Sequence, residues 1–583
     1  MKIQYRLSNY NVITSSDKTS IILCLQRDSA RVESLLLGEK VSFRQIFLDL
    51  TNSSYTKIGL VEILENDFVK VSTSFTGPSL FVSKLNDELY IYDSEARAYE
   101  KCAKSGYEIE EQVFIRMLFS DNLCARPAHM SIFKGLYRCP PGATIRVQGN
   151  NITCSPRFDE LLDKKQGVLS DILIDMMDET YSLAASCNKK PRLLFSGGMD
   201  SLLIGSIMKL RGELNIKGFH FLYHNLVSRT TAIAIKLSNQ LKINISLIGA
   251  NAFSLEDSSV EGFKRLFSSG TGVLASVKNY FYYENLSNQA SDENILLITG
   301  QNADTLLTLD HKFPSTQLLL WERLLPTFKT VPHRYDLYLR SRQMTKNEDE
   351  VITCLNSLRA KGSSTSISEH GDTSDEFRSY IESFLATHFN DDYLKLLVDN
   401  PSQFVGYSEL AIEKVIRWYR TCGNVELNYD ALERGLGLER HIFFNHPKFI
   451  VYGLNNQFSW KDIFFVKPRF ARLVKKFTRI RHRRTVVIAV LSFLPFLLKR
   501  KFNNLSDQHN EVSEGDWLTD FIMARGILID LYQLIECVND DRIKHRLNEI
   551  LKKIEEKTLS SSADTKVALR LVNLYFSIGC KKQ

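Results

Sequence analysis

The sequence predicts an α/β protein: a parallel-sheet domain preceded by an N-terminal α+β domain and followed by a helical C-terminal region. Three observations lead there. From about residue 165 to 480, short apolar strands alternate with helix-like stretches, the pattern of a parallel sheet. Before that, short alternating runs are bounded by Asn, Asp and Gly, as in a strand-rich domain. At Phe195–Ser201, "FSGGMDS", a strand runs into two glycines and a helix begins. The expected divisions are 1–160, 165–480 and 481–583.

The elements follow in order. "TSIILCLQ", "LFVSKLNDELYIYD" and "ATIRVQGNNITC" read as strands of the first domain, and "RCPPGATIRV" as a Pro-Pro-Gly turn feeding one of them. In the second domain "RLLFS", "IKGFHFLYH", "ISLIGA" and "ILLITG" read as strands, and "SLLIGSIMKLRG" and "TAIAIKLSNQL" as helices. A polar loop is expected at 361–376 and a linker at 503–516. Beyond it, "DWLTDFIMARGILIDLYQLIECV" has helical apolar spacing.

Composition bounds the function classes. At 583 residues, 44% hydrophobic and 24% charged, the chain has the make-up of a globular protein with more than one core. Its ten cysteines form no C-x-x-C pair, so neither a zinc site nor a disulfide framework is expected. "MKIQYRLSNYNV" lacks the apolar core of a secretory leader, and the expectation is a cytoplasmic protein with reduced thiols. The net charge of +7 is local. Lys467–Lys501 holds twelve Lys and Arg and no acid around an apolar run, Thr485–Leu498. That run is shorter than the roughly 18 residues a spanning helix needs. It reads as a buried helix with basic ends, or as a peripheral membrane or partner contact through 475–501. No nucleic-acid-binding motif is present, so nucleic acid is not an expected partner.

The corner at 195–201 carries chemistry. Glycines let backbone N–H groups approach a ligand, and a helix N-terminus favours an anion. Ser196 and Ser201 add hydroxyls. Asp200 would repel phosphate unless a cation stood between them, and Mg²⁺ on a polyphosphate satisfies both. A tight turn with a helix cap is the alternative. "ENILLITGQNADTLL" (293–307) is a second strand running into a glycine turn with an aspartate, Asp304. The two turns are expected to meet at the carboxyl edge of one parallel sheet, where such sheets bind ligands.

"FSGGMDS" resembles the pyrophosphate loop S-G-G-x-D-S of the N-type ATP pyrophosphatases. With "TGQNADTL", it is similar to the asparagine synthetase-like group. "IFKGLYRCPPGATIRV" (132–147) resembles a segment of that group's glutaminase domain, and "GLERHIFFNHPKFI" (437–450) its "GvE.R.PFLD..fi" motif. The resemblance covers about residues 75–480. It implies an asparagine synthetase-type ATP pyrophosphatase domain behind a degenerate Ntn-glutaminase-like sandwich, with ATP and Mg²⁺ as cofactors. It further implies that Ser196, Gly197, Gly198, Asp200 and Ser201 hold the pyrophosphate. Asp200 and Asp304 would hold Mg²⁺, and Phe195, Phe221, Thr299 and Gly300 would frame the adenosine. A lysine stabilising the α-phosphate is implied at Lys467, with Lys461 second.

Departures from the group narrow the activity. Its glutamine-hydrolysing members carry a cysteine after the initiator methionine, where this chain has Lys2. The nearest cysteine, Cys24, lies in an apolar run, so glutamine hydrolysis is not expected. Gln301 stands at a catalytic position where the asparagine-forming enzymes carry a glutamate, and a neutral amide cannot act as a general base. Three readings remain. One is an ATP-dependent amide ligase resembling lasso-peptide cyclases and β-lactam synthetases, acting on a carboxylate of a peptide and served by a precursor-processing partner. Another amidates an amino or sugar acid with ammonia or a separate glutaminase. The third is a non-catalytic binding subunit.

Overall fold

The computed structural model describes residues 2–480, apart from 8–9, 39–41, 65–67, 77–78, 86–87, 121–128, 159–166, 214, 223–228, 250–276, 292, 310–333, 363–374, 389–396, 398–400, 422–435, 457 and 465–466, together with 514–578. Most of the polar loop at 361–376, most of the linker at 503–516 and the basic apolar stretch 481–501 lie outside these residues.

Period-two patterning builds the first domain. Its strands are β1 (Lys2–Arg6), β2 (Tyr10–Thr14), β3 (Ser20–Leu25), β4 (Ile58–Leu64), β5 (Phe68–Thr73), β6 (Leu80–Leu85), β7 (Glu88–Tyr92), β8 (Leu136–Cys139), β9 (Ala143–Gln148) and β10 (Asn151–Pro156). They form a six-stranded antiparallel sheet, β10-β9-β5-β4-β3-β2, and a four-stranded sheet, β1-β7-β6-β8, in which β1 runs parallel to β7. Alternate residues face opposite ways. Ile21 and Leu23 of β3 meet Leu80 and Val82 of β6 between the sheets, while Ile22 and Cys24 face outward. Helices Gln26–Gly38 and Phe43–Ser53 cover that outer face. Helices Glu95–Lys104 and Glu111–Phe119 cover the outer face of the other sheet. The result is four layers, helix–sheet–sheet–helix.

The C-terminal helices Glu514–Arg525, Leu528–Leu534, Asp541–Glu555 and Ser562–Ile578 pack onto that last layer. The apolar stretch that reads as continuous in sequence breaks at Gly526, whose φ of +63° favours glycine. Buried Arg570 donates to the carbonyl oxygen of Leu118 at 2.9 Å, and also to that of Ser120, where helix Glu111–Phe119 ends. At its start Glu111 accepts from the N–H and the side-chain amide of Asn539 at 2.5 and 2.7 Å.

The second domain holds a five-stranded sheet: β11 (Lys190–Leu194), β12 (Lys217–Leu222), β13 (Asn244–Gly249), β14 (Ile295–Thr299) and β15 (Glu439–Ile442). Its order is β13-β12-β11-β14-β15 and every pairing is parallel. Both faces are covered, so β14 is buried throughout and reads as an unbroken apolar run. Residues 439–442, taken in sequence only as part of a motif, form the edge strand.

Aromatic packing joins the domains. Phe158 lies 5.5 Å from Phe75, 5.6 Å from Trp418 and 5.1 Å from Tyr419 between ring centroids. Tyr55 donates to the carbonyl of Phe443, and its ring lies 4.2 Å from that of His441. Among the described residues no helix is long and apolar enough to cross a membrane. The Phe158→Ala variant is expected to lose about 3–5 kcal/mol, as for large aromatic truncations in cores, read as a lowered denaturant midpoint. An unchanged midpoint would show that this cluster does not hold the domains together.

Candidate functional site

The strand order reverses between β11 and β14. β11 leads by a crossover helix outward to β12, whereas β14 lies on the other side of β11. Where neighbouring connections depart to opposite sides, a crevice opens at the carboxyl end of the sheet. The turns at 195–199 and 300–303 leave their strands there.

Gly197 turns with φ +70°, and a Cβ would stand 2.8 Å from Ala234 Cα, so only glycine fits. Gly300 lies so close to the first turn that a Cβ would meet Asp200 Cβ at 3.0 Å. The Gly198 N–H donates to Ser196 Oγ at 3.2 Å, and the Ser196 and Ser201 hydroxyls are 3.2 Å apart. Asp200 sits in the first turn of helix Met199–Leu210, with Gly198 as its cap. Phe195 is buried with its backbone engaged: its N–H donates to Phe219 O and its carbonyl accepts from His220 Nδ1, each at 2.8 Å. Burial pushes the His220 pKa down and favours the neutral ring. Phe221, two residues beyond the last pairing of β12 with β11, stacks near Tyr282 and Tyr283, each 5.2 Å away.

Lys467 closes the site. It caps helix Pro468–Thr478 in a left-handed conformation, φ +48°, which costs a non-glycine residue on the order of 1–2 kcal/mol. Its ammonium lies between two carboxylates, donating to Asp200 and forming an ion pair with Asp304 at 2.6 Å. The Lys467 side chain is 3% exposed, that of Asp200 20% and that of Asp304 54%. Burial works against the charge on Lys467, but the two carboxylates outweigh it and hold the ammonium above its ordinary value. Burial lifts the Asp200 carboxyl to about 6; Lys467 opposes the rise and Asp304 adds to it. Lys461 instead lies on the surface, 5.7 Å from the Trp460 ring.

The second turn is braced from three sides. Asn302 adopts φ +71°, which asparagine tolerates, and donates to Asn445 Oδ1. Buried Lys414 donates to the carbonyl of Leu306, and burial pushes its pKa well down. Buried Arg440 donates to Gln301 Oε1.

The chain matches no protein-family model and no curated protein.

The residues fit a magnesium polyphosphate by their donor chemistry. Two carboxylates face one gap, which a cation, the Lys467 ammonium, already bridges. Among the described residues no cluster of three or more metal-binding side chains exists. The buried Thr299 hydroxyl, at the end of β14, has no hydrogen-bond partner among the described residues. Sequence reasoning placed both aspartates and Lys467 but not Arg440, Asn445 or Lys414. Arg440 carried no separable signal, because its partner Gln301 lies 139 residues away.

In the first domain, Lys2 pairs with Glu88 at 3.0 Å. Cys24 is fully buried, and its thiol is pushed up to about 12 by burial, with Asp28 and Glu33 adding. A thiol held there is not a thiolate at neutral pH.

Two outcomes test the site. A carboxyl raised from 3.8 to about 6 gains its charge as pH rises through 6, so affinity for Mg²⁺ alone should climb between about pH 5 and 7 and then level off. The stability owed to this group falls mainly between about pH 4 and 6, from its unfolded to its folded value, since folding disfavours its charged form. Calorimetric titration reads the affinity; a flat profile would contradict the assignment. The Lys467→Met variant should melt lower without Mg²⁺ and gain more from added Mg²⁺ than the parent, because the ion then meets unbridged carboxylates.

Proposed function

We propose that this protein is an ATP-dependent amide-forming ligase of the asparagine synthetase-like kind, without its own glutaminase, acting on a carboxylate of a peptide. The observation that carries this reading is the Lys467 ammonium between Asp200 and Asp304 at the strand-order reversal, above a glycine turn. Residues 196–198 and Ser201 would hold the β- and γ-phosphates through N–H groups and hydroxyls. Thr299, Gly300 and Phe221 would frame the adenosine. Mg²⁺ on Asp200 and Asp304 would neutralise charge on the phosphates.

In the first step a substrate carboxylate oxygen attacks the α-phosphorus, the bond to the bridging oxygen breaks, and pyrophosphate leaves with the electron pair. Lys467, released from the carboxylates, would stabilise the charge developing on the α-phosphate. In the second step an amine attacks the acyl carbon, the bond from that carbon to the phosphate oxygen breaks, AMP leaves with the electron pair, and the amine's proton passes to solvent. The protein's part is positioning and charge neutralisation. The two-sheet layering of the first domain supports a retained platform, and the buried, high-pKa thiol of Cys24 supports an amine supplied from outside that domain.

Pyrophosphate release from Mg²⁺-ATP across a panel of acids and acidic peptides tests the reading. Release should depend on an added carboxylate, and Asp200→Asn should lower it by about 100-fold or more. Undiminished release in that variant would reject the site, and absence of both ATP binding and release would reject the activity.

A further inference from the structure

We propose that the basic stripe of helix Pro468–Thr478 is a docking surface for an anionic membrane; this stands apart from the ligase reading above. The helix has two faces. Phe470 and Val474 are buried in the core of the second domain, and Leu473 and Phe477 pack against it. Between Lys467 and Ile480 the exposed residues are Arg472, Lys475, Lys476 and Arg479. Their spacing, i, i+3, i+4 and i+7, lines them along the face opposite the core. All four are cations, and none of their side chains pairs with a carboxylate among the described residues. Helix-end charge favours cations in the last turn, but it does not account for Arg472 one turn earlier. Surfaces ordinarily intersperse the two signs, and like charges at i, i+3 and i+4 repel. An anionic surface relieves that repulsion.

Two observations favour a membrane over another polyanion. Arg472 and Leu473 line an open cavity of about 520 Å³ together with Val168, which is 65% exposed, so the stripe has an apolar neighbour at the surface. In sequence the stripe is followed at once by Arg481, Arg483 and Arg484, then by the uncharged, largely apolar Thr485–Leu498, then by Lys499, Arg500 and Lys501. Cations flanking an apolar run too short to span a bilayer match a lipid–water interface, where the cations meet headgroup phosphates and carboxylates and the apolar side chains enter the acyl boundary. A nucleic acid would match the cations but not the run. The same helix begins at Lys467, so the contact would hold the crevice within about a helix length, roughly 16 Å, of the headgroups.

The test is flotation of the full chain with phosphatidylcholine vesicles, with and without phosphatidylserine, at rising salt. Binding should require phosphatidylserine and weaken as salt rises. A Lys or Arg at an anionic surface is worth about fivefold in partitioning, so replacing Arg472, Lys475, Lys476 and Arg479 together by Gln should weaken binding by roughly 100-fold or more. All four are exposed, so that variant should melt like the parent. Arg472→Lys with Arg479→Lys keeps the charge and should bind like the parent. Equal binding without phosphatidylserine, binding to neither vesicle, or binding undiminished in the Gln variant would each overturn the proposal. Preference for mixed-sequence RNA over phosphatidylserine vesicles through the same four residues would also overturn it, in favour of nucleic acid.

Discussion

One ammonium between two carboxylates organises this site. Asp200 and Asp304 lie on turns that leave adjacent parallel strands, and close approach of like charges in a partly desolvated crevice is costly. Lys467 offsets that cost, and it does so from a third element, the cap of helix Pro468–Thr478. The lysine backbone takes a left-handed conformation to bring the side chain inward. A single electrostatic arrangement thus ties together β11, β14 and a helix more than 150 residues further along the chain. On the proposed reading, a divalent ion on phosphate would replace the ammonium between the carboxylates and free it for the ligand.

The layers around the crevice hold that geometry. Parallel strands buried on both faces leave the turns at 195–199 and 300–303 little freedom. A Cβ at Gly300 would stand 3.0 Å from Asp200 Cβ, so a larger residue there would push the two turns apart. Asn445, Arg440 and Lys414 brace the second turn from segments that lie far apart in sequence. The first domain contributes through packing, by Tyr55 against the segment after β15 and by the aromatic cluster around Phe158. The C-terminal helices extend the first domain's outer helical layer, in an apolar cluster that continues to one face of the parallel sheet.

β14 was legible because burial on both faces makes it a continuous apolar run, and β11 and β12 because their centres are buried. The helices of the first domain were less so. Phe43–Ser53 does carry a helical stripe, Phe43, Ile46, Phe47 and Leu50 behind the Ser42 cap, but it is short and lies among alternating strands, so a strand-rich reading passes over it. The edge strand β15 is four residues long, and its partner β14 lies 140 residues earlier, so nothing local marks it.

By itself the sequence determined the local chemistry: a glycine turn at a strand end, hydroxyls on either side, and one carboxylate in each of two such turns. Those features depend on neighbours within a few residues, where backbone sterics and helix-end charge decide the outcome. Only the tertiary structure decided which lysine enters the crevice, since Lys461 and Lys467 are alike in sequence but only the second caps a helix aimed at the aspartates. It also decided what Gln301 meets, since its partner Arg440 is brought there by the pairing of β14 with β15.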